Sequence, residues 1–465
     1  MKTQRQFRRL LFLLGLIAAF FFKDANAATV FPIASNAVSV GIAFDGTNYL
    51  SAMLTGTNVS VQLVSPSGAL IGSPTIVGAN ASLNVALAFG KTNYLTVWSD
   101  TTVAAGVSIF GQLISRNGAK VGSSFNLLSA QGSYGLQEAE ALAFDGTNFL
   151  AVWRDQTTRN FYGQLVTPAG TLSGSEFLIS SQIANGESAA TAFGKTNYLV
   201  IYSSQNVANR GNINLTYGVF VSRSGAVSGP IQIGQTPAPD QNFLGVGFDG
   251  TNFLTTWQWD PYPETFGNVT NWNIFGRMVS QTGTFPGNEL QLVTDVGNNI
   301  FPSLAFDGAN YLLAWGYGLN VTTNTNIRFQ FFDRTATAVG PRFTLFTTQG
   351  TNAPLFGFNG LIFDGARFAI AATLGNANFS GTDVYGGFIP SSTALPQLNA
   401  PSFSSGQFSL TLAGTPGINY AIQTSTNVSL ANWTGLFTNS PTNGTFNFTD
   451  TNTTNTSRFY RAVKR

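Results

Sequence analysis

The chain contains no cysteine and no histidine among its 465 residues. Without cysteine it forms no disulfides, no thiolate metal sites and no lipid-modified cysteine. Without histidine it has no Ser-His-Asp triad, no imidazole proton shuttle and no His-ligated zinc or iron. Much catalytic chemistry is therefore excluded before any motif is considered.

Charged residues are also scarce, at 9% of the chain, against about a quarter of an average soluble protein. Glycine, asparagine, threonine and serine take their place, a composition typical of exposed β-proteins rich in turns. The chain has no basic stripe, so nucleic-acid binding has no electrostatic basis. The hydrophobic content of 43% is sufficient for a core.

Long apolar runs are absent apart from one near the N-terminus. There a basic segment precedes the run Leu10–Phe22, and Ala25-Asn26-Ala27 forms a small-residue cleavage site. The run of 13 residues is short for a membrane span. We therefore expect residues 1–27 to be a signal peptide and the mature chain to be secreted or held at the cell surface, with a retained anchor as the alternative. Cleavage leaves 17 basic and 19 acidic residues.

What the chain does contain is a sevenfold repeat of a short apolar strand, a tight polar turn and an aromatic-rich strand. The first copy of the turn reads Phe44-Asp45-Gly46-Thr47-Asn48-Tyr49-Leu50. The seven copies occupy residues 44–50, 89–95, 144–150, 193–199, 248–254, 306–312 and 363–369. Their spacing of 45 to 58 residues leaves room for about four short strands, the size of one β-propeller blade. Asp and Gly in the turn are interpreted as turn formers.

The two ends of the repeat region predict how a propeller closes. Near the N-terminus, Phe31-Pro32-Ile33 resembles the fourth strand of a repeat. The seventh repeat, in contrast, ends after its third strand at residues 384–389 and has no fourth strand of its own. We expect the N-terminal strand to complete the last blade, which removes the open edges. The predicted fold is all-β: a seven-bladed β-propeller over residues 28–390, a linker over 391–398 and a small C-terminal β-sandwich module over 399–465.

The repeat motif, with Trp after the turn and Phe-Gly-Gln-Leu in the third strand, resembles repeats of exported bacterial β-propeller proteins of poorly defined role. The tail, with Tyr420-Ala421-Ile422-Gln423 and Arg458-Phe459-Tyr460-Arg461, is similar to fibronectin-III-like C-terminal β-modules of large exported bacterial proteins. The second resemblance implies a binding or surface-attachment unit. Neither resemblance supplies a catalytic motif.

The loops between second and third strands provide the first set of candidate site residues. These loops vary from 8 to 19 residues, and variable loops on a rigid scaffold are typical of binding faces. The longest is rich in aromatic and acidic residues, which suit contacts to sugar rings and hydroxyls. Its candidates are Trp259, Asp260, Tyr262, Glu264 and Trp272. The alternative is that the Trp side chains only pack the loop against its neighbours.

Four further acidic residues form the second set of candidates. Glu138 and Glu187 each stand six residues before the Phe of their repeat, so they are expected to be neighbours at the mouth of the central channel. Asp100 and Asp155 each follow a Trp by two residues and are expected at the same face. Such carboxylates share a proton, grip a polar ligand or bind Ca²⁺, the only cofactor that the sequence leaves open. The alternative is a solvated rim charge.

The function predicted from these features is non-enzymatic binding of an extracellular polysaccharide or surface protein by an exported, monomeric propeller. One alternative is a carbohydrate-active hydrolase or lyase that uses the acidic residues at the channel mouth. Another is a structural protein of the cell surface or matrix.

Overall fold

A computed structural model of the chain contains only β-strands, turns and irregular segments in the residues that it describes. No helix within them is long and apolar enough to cross a membrane. The predicted signal peptide lies outside them. The described residues are 28–100, 108–128, 137–180, 188–205, 214–236, 240–260, 272–318, 324–347, 360–375, 381–426, 432–452 and 458–465.

Strand β1 (Thr29–Ala34) is followed by six antiparallel sheets of four strands each. In every one of them the strands that pair are consecutive in the sequence. The first three sheets are β2 (Val38–Phe44), β3 (Tyr49–Thr55), β4 (Asn58–Val64) and β5 (Leu70–Gly78); β6 (Ala81–Gly90), β7 (Asn93–Asp100), β8 (Ser108–Ser115) and β9 (Lys120–Asn126); and β10 (Gln137–Phe144), β11 (Phe149–Asp155), β12 (Phe161–Val166) and β13 (Leu172–Ser180).

The next three sheets repeat this order, and a seventh sheet contains strands from both ends of the repeat region. The former are β14 (Ala189–Phe193), β15 (Asn197–Gln205), β16 (Asn214–Ser222) and β17 (Ile231–Gln232); β18 (Asp240–Phe248), β19 (Asn252–Asp260), β20 (Asn273–Ser280) and β21 (Leu290–Val293); and β22 (Asn298–Phe306), β23 (Tyr311–Gly318), β24 (Asn324–Phe332) and β25 (Ala338–Thr347). The seventh sheet has β26 (Gly360–Phe363), β27 (Arg367–Gly375), β28 (Thr382–Pro390) and β1.

The seven four-stranded sheets are arranged in a ring. The first strand of each sheet contacts the first strand of the next, and β26 of the seventh sheet contacts β2 of the first. First strands around a common axis are the arrangement of a β-propeller. In the seventh sheet β1 pairs antiparallel with β28, with Thr29 opposite Phe388, which confirms the pairing predicted for the N-terminal strand. Phe31 packs on Phe388 with ring centroids 4.9 Å apart.

The second strands of the second to sixth sheets carry a buried aromatic residue near their end, at Trp98, Trp153, Tyr202, Trp257 and Trp315, whereas the first sheet has Met53 and the seventh Ala372. Trp153, Trp257 and Trp315 are fully buried. Trp153 stacks on Tyr162 of the third strand, and Trp257 stacks on Phe275 in the same way, with rings inclined by 19° in both pairs. The side chains of Trp153, Trp257 and Trp315 therefore fill the space between neighbouring sheets and are not available to ligands.

The glutamine of the third-strand motif joins the third strand to the fourth. Gln112 is buried, and its Nε2 donates to the carbonyls of Leu113, Val121 and Gly122 at 2.9, 3.1 and 3.3 Å. The same three-way pattern recurs at Gln62, Gln164 and Gln330. A buried amide is satisfied only with such partners, so this motif residue is structural.

The Asp-Gly turns form as expected. The Asp45 Oδ1 atom accepts hydrogen bonds from the backbone amides of Thr47 and Asn48, both at 2.7 Å. Gly46 has a φ of 92°, a value that glycine adopts without strain. The same pair of bonds to an Asp side chain is present at Asp145, Asp249, Asp307 and Asp364.

Each of these turns also meets the next sheet in the ring. Tyr94 of the second sheet donates its hydroxyl to the Asn48 carbonyl at 3.2 Å, and burial together with the Asp45 charge raises the pKa of Tyr94. Where the turn has Gly90 in place of Asp, the next sheet has Phe149 in place of Tyr. A Cβ on Gly90 would lie 2.5 Å from the Phe149 Cζ atom. The residue at the turn and the aromatic residue of the next sheet are therefore matched: the Asp45 turn faces a tyrosine hydroxyl, and the Gly90 turn leaves room for a phenylalanine ring.

Beyond the ring, the C-terminal residues form two three-stranded sheets that share buried residues. The first strand begins at Gln397, two residues before the predicted start of the module. The sheets are β29 (Gln397–Ser404), β30 (Gln407–Ala413) and β33 (Thr445–Asp450); and β32 (Thr434–Asn439), β31 (Tyr420–Ser425) and β34 (Phe459–Lys464).

The C-terminal sheets are packed against the sixth sheet of the ring. Leu412 and Tyr420 belong to the same buried cluster as Phe329 and Phe343 of the sixth sheet. At Gly417 an added Cβ would lie 2.7 Å from the Phe343 Cδ1 atom, so the backbone at Gly417 lies close against the phenyl ring of Phe343. The residues after Pro390 are therefore tied to the ring by an apolar contact.

Polar contacts reinforce the same junction. The Asp307 Oδ2 atom accepts hydrogen bonds from the Ser391 hydroxyl at 3.0 Å and from the Ser392 amide at 2.6 Å. The Ser391 carbonyl in turn accepts from the Thr415 hydroxyl at 2.8 Å. The following sheet has Phe368 in the position that Tyr94 occupies in the second sheet. The predicted linker thus supplies donors to Asp307 at the one Asp turn whose neighbour carries no tyrosine hydroxyl.

Candidate functional site

The first strands of all seven sheets line a central channel. Its cavity has a volume of about 340 Å³. Polar groups of Glu140, Ser188 and Thr191 share the lining with apolar side chains that include Phe243 and Phe301. A concave, mainly apolar site with few polar groups is the usual form of a small-molecule site.

Glu138, predicted at the channel mouth, does lie on the first strand of its sheet but has a partner inside the sheet. Its Oε2 atom accepts a hydrogen bond from Arg154 Nη2 at 2.5 Å, and the two residues are directly opposite each other on β10 and β11. An unbroken ladder would place Asp155 there. A β-bulge between Ala139 and Ala141 shifts the register by one residue and brings the arginine opposite the glutamate.

The acidic residue that lines the channel is Glu140, which the sequence reasoning missed. Its Oε2 atom accepts a hydrogen bond from the Ala189 amide at 3.2 Å, whereas Oε1 is buried without a hydrogen-bond partner among the described residues. The residue as a whole is half-buried, but its carboxylate oxygens are desolvated. This burial raises the pKa of Glu140 to about 8; Arg154 lowers it and Glu138 raises it by smaller amounts.

The signal for Glu140 was present as the pattern Glu138-x-Glu140, with Asp155 and Arg154 on the next strand. Strict alternation gives both glutamates the same face of a strand. The bulge at Glu140 breaks that alternation, so the two glutamates have different surroundings. The position of the bulge cannot be predicted from the neighbouring residues alone.

Asp155 has a turn-forming role. Its Oδ1 atom accepts hydrogen bonds from the amides of Thr157 and Thr158 at 2.8 and 2.9 Å, and its side chain is buried. It shapes the loop after β11 in the way that Asp45 shapes the opposite turn.

Asp100, in contrast, lines an open cleft between the first and second sheets. The cleft has a volume of about 330 Å³, and its walls include Asn80, Phe110, Lys120 and Ser124. Phe110 is half-buried and stacks on Trp98 at a centroid distance of 6.1 Å. Asp100, Asn80 and Phe110 lie at the end of this cleft near the second-to-third loop, whereas Lys120 lies further along the cleft, opposite Ile114 of β8.

Around the longest loop, the structure describes Trp259, Asp260 and Trp272. Trp259 packs on Phe275 with ring centroids 5.4 Å apart. Asp260 is buried, and Trp272 is half-buried with a carbonyl that accepts two hydrogen bonds from Asn299. The ring contact favours a packing role for Trp259, and the backbone contact fixes the position of Trp272 at the end of the loop.

Three predicted site residues, Tyr262, Glu264 and Glu187, lie outside the described residues, so their geometry is not compared with the predictions. Within the described part of the chain, no three acidic side chains are grouped so that they would hold a metal ion. The predicted pairing of Glu138 with Glu187 and its link to Ca²⁺ remain predictions.

No family model matches the sequence, and no curated protein matches it. Several solved structures are similar in fold. A protein of unknown function from Dyadobacter fermentans is 12% identical with a TM-score of 0.47, covering 79% of this chain and 98% of its own. The Pan2 WD40 domain of Neurospora crassa is 9% identical with a TM-score of 0.46, covering 78% and 97%. The Dos1 propeller is 9% identical with a TM-score of 0.44, covering 84% and 93%.

Proposed function

We propose that this chain is an exported, non-enzymatic, seven-bladed β-propeller that binds an extracellular polysaccharide or surface protein through its variable-loop face. Seven four-stranded sheets in a ring, with β1 completing the seventh, support the blade count. The basic and apolar N-terminal segment supports export. In this proposal residues 1–27 are removed, 28–390 form the propeller and 391–398 are the linker.

The C-terminal residues 399–465 are proposed to form a β-sandwich module. Support comes from the buried residues that its two sheets share, with Leu412 on one sheet and Tyr420 and Ile422 on the other. Because the module packs on the sixth sheet, we propose that it is a fixed part of the binding protein that presents the propeller at a constant angle to whatever the module contacts.

The observation that carries the binding proposal is the cleft at Asp100. Sugar ligands need hydrogen-bond acceptors and donors beside an aromatic surface. The cleft provides Asp100 and Asn80 near Phe110, with Lys120 further along the same wall. Side chains of both charges within one cleft suit a polar, neutral ligand better than a strongly charged one. A carbohydrate is therefore the ligand class that we place first.

The test is a glycan and polysaccharide array probed with the mature chain, residues 28–465, with reducing-end release measured in the same wells. We expect binding without release. In titrations against the best ligand, Asp100→Asn and Lys120→Ala should each weaken binding at least tenfold. Lys91→Ala is the matched control, since Lys91 is exposed on the opposite turn of the same sheet, and it should bind as the wild type does.

Three outcomes would each contradict one part of the proposal: the absence of catalysis, the cleft as the site, or the carbohydrate as the ligand. Release of reducing ends that Glu138→Gln or Glu140→Gln abolishes would show a carbohydrate-active enzyme. Unchanged binding in both cleft variants would move the site elsewhere, and Trp259→Ala and Trp272→Ala would then test the longest loop. A silent array would rule out the carbohydrate ligand and leave a surface protein as the partner.

A further inference from the structure

The central channel has a layer where the inner strands bulge. Measured from the Phe of each turn, the bulges of the first, third, fifth and sixth sheets occur at the same position along the strand. Each stands beside the large residue near the end of the second strand, at Met53, Trp153, Trp257 and Trp315. We call this the bulge layer. Its channel-lining members are Val40, Glu140, Phe243, Leu244, Phe301 and Pro302.

Two members of the bulge layer have unusual backbone geometry. Phe243 and Phe301 have φ angles of 48° and 55°, in the left-handed region that bulky residues rarely adopt. Their rings contact each other edge to face, with centroids 4.3 Å apart. Strained backbone of this kind persists only when the surrounding structure enforces it, and it concentrates at ligand sites.

The same layer holds a carboxylate with spare binding capacity. Glu140 is the only charged side chain that lines the cavity among the described residues. One of its oxygens accepts the Ala189 amide, and Oε1 has no hydrogen-bond partner within the part of the chain that the structure describes. The charged groups that act on it are Arg154 and Glu138, which already form an ion pair with each other. The local charge is therefore negative whenever Glu140 is ionised.

From these observations we propose that the central channel binds a compact organic cation, with its ammonium group on Glu140 and its apolar body against Phe243 and Phe301. A primary ammonium can donate a hydrogen bond to Oε1, and a primary or a quaternary ammonium compensates the buried negative charge of the ionised carboxylate. Aromatic rings attract cations and pack against apolar groups. This site is separate from the cleft at Asp100 and does not depend on the function proposed for that cleft.

The proposal has a proton-linked consequence. Burial keeps the Glu140 carboxyl protonated in the empty channel up to about pH 8, whereas a bound ammonium favours the carboxylate. Binding below pH 8 must therefore release a proton. Affinity for a permanently charged cation should rise as the pH increases toward 8 and then level off.

The test is isothermal titration calorimetry of the full mature chain with phenethylamine and choline as cationic probes. The neutral and anionic controls are 2-phenylethanol and phenylacetate. At pH 8.5 we expect saturable one-to-one binding of at least one cation, and at least tenfold weaker binding of both controls. At pH 6.5, titrations in buffers of different ionisation enthalpy should show proton release.

Variants locate the site. Glu140→Gln should reduce cation affinity at least tenfold and abolish proton release, whereas Glu176→Gln, on the outer strand of the same sheet, should bind as the wild type does. If Glu140→Gln does not fold, the probe comparison and the proton release on the wild-type chain still decide the matter. No saturable binding of either cation, equal binding of 2-phenylethanol, preference for phenylacetate, or full affinity in Glu140→Gln would each overturn the proposal.

Discussion

Gly90→Ala is expected to destabilise the protein, although alanine is normally better than glycine in a strand. The new Cβ would lie 2.5 Å from Phe149 Cζ and 2.9 Å from Phe144 Cε2. Phe149 is fully buried, and its ring packs on Phe144 with centroids 4.8 Å apart, so it can move away from a new Cβ only by displacing buried neighbours. Overpacking of this kind costs about 1–3 kcal/mol.

The gain that opposes this loss comes from the unfolded chain. Replacing glycine by alanine restricts the unfolded state and stabilises the folded one by about 0.4–1 kcal/mol where the backbone allows it. Gly90 is outside the left-handed region, so the backbone does allow it. We therefore expect a net loss of about 1–2 kcal/mol. Gly229→Ala is the matched control, because its Cβ would meet nothing within 4 Å, and it should be neutral or stabilising.

The assay is urea unfolding followed by tryptophan fluorescence, with Phe149→Leu added to complete a double-mutant cycle. Phe149→Leu alone should destabilise by leaving a cavity. In the double variant the leucine should relieve the clash, so the two changes should couple by about 0.5–3 kcal/mol. Additive effects of the two changes, or a Gly90→Ala variant as stable as Gly229→Ala, would refute the conclusion that Gly90 is required by the Phe149 ring of the next sheet.

Three further predictions concern buried polar groups. Tyr94→Phe removes a hydroxyl that faces the turn at Asp45 and should lower the free energy of unfolding by about 1 kcal/mol, measured by urea unfolding. Asp307→Asn weakens the contact with Ser392, so limited proteolysis should release a C-terminal fragment faster than from the wild type. Glu140 binds its proton more tightly when folded, with a pKa of about 8 against an ordinary 4.5. Its carboxyl is protonated in the folded state and ionised in the unfolded state between these values, so the wild-type chain should lose stability as the pH rises through this window, by at most about 1.4 kcal/mol per pH unit. Melting temperatures of Glu140→Gln measured from pH 4.5 to 8 should lack this loss, and an unchanged slope would contradict it.

The sequence was sufficient to predict the all-β class, the Asp-Gly turns and the pairing of β1 with the last repeat. These features depend on local chemistry. An aspartate that accepts amides two and three residues later needs no distant partner, and the glycine after it tolerates a positive φ wherever the turn occurs. The seventh repeat lacks a fourth strand, and the N-terminal strand β1 belongs to no repeat. Pairing of β1 with the third strand of the seventh repeat, β28, was therefore the pairing to expect.

The candidate sites were less predictable, because register and packing decide them. Glu138 was expected at the channel mouth as a ligand-binding carboxylate, yet one inserted residue in β10 places it opposite Arg154 in place of Asp155. Trp259 was a candidate for stacking on a ligand, but its ring packs on Phe275 of the protein itself. Neither outcome is readable from spacing alone.

The sequence by itself determined where strands and turns begin and which residues form the repeat, since both follow from hydrogen bonding and alternation within a few residues. The tertiary structure decided which polar groups are left for function. Whether a carboxylate such as Glu140 faces a channel, an arginine or water depends on bulges and on side chains from other sheets. The free energy of desolvating that carboxylate is set by residues far away in the chain, because the ring brings seven distant strands to one axis.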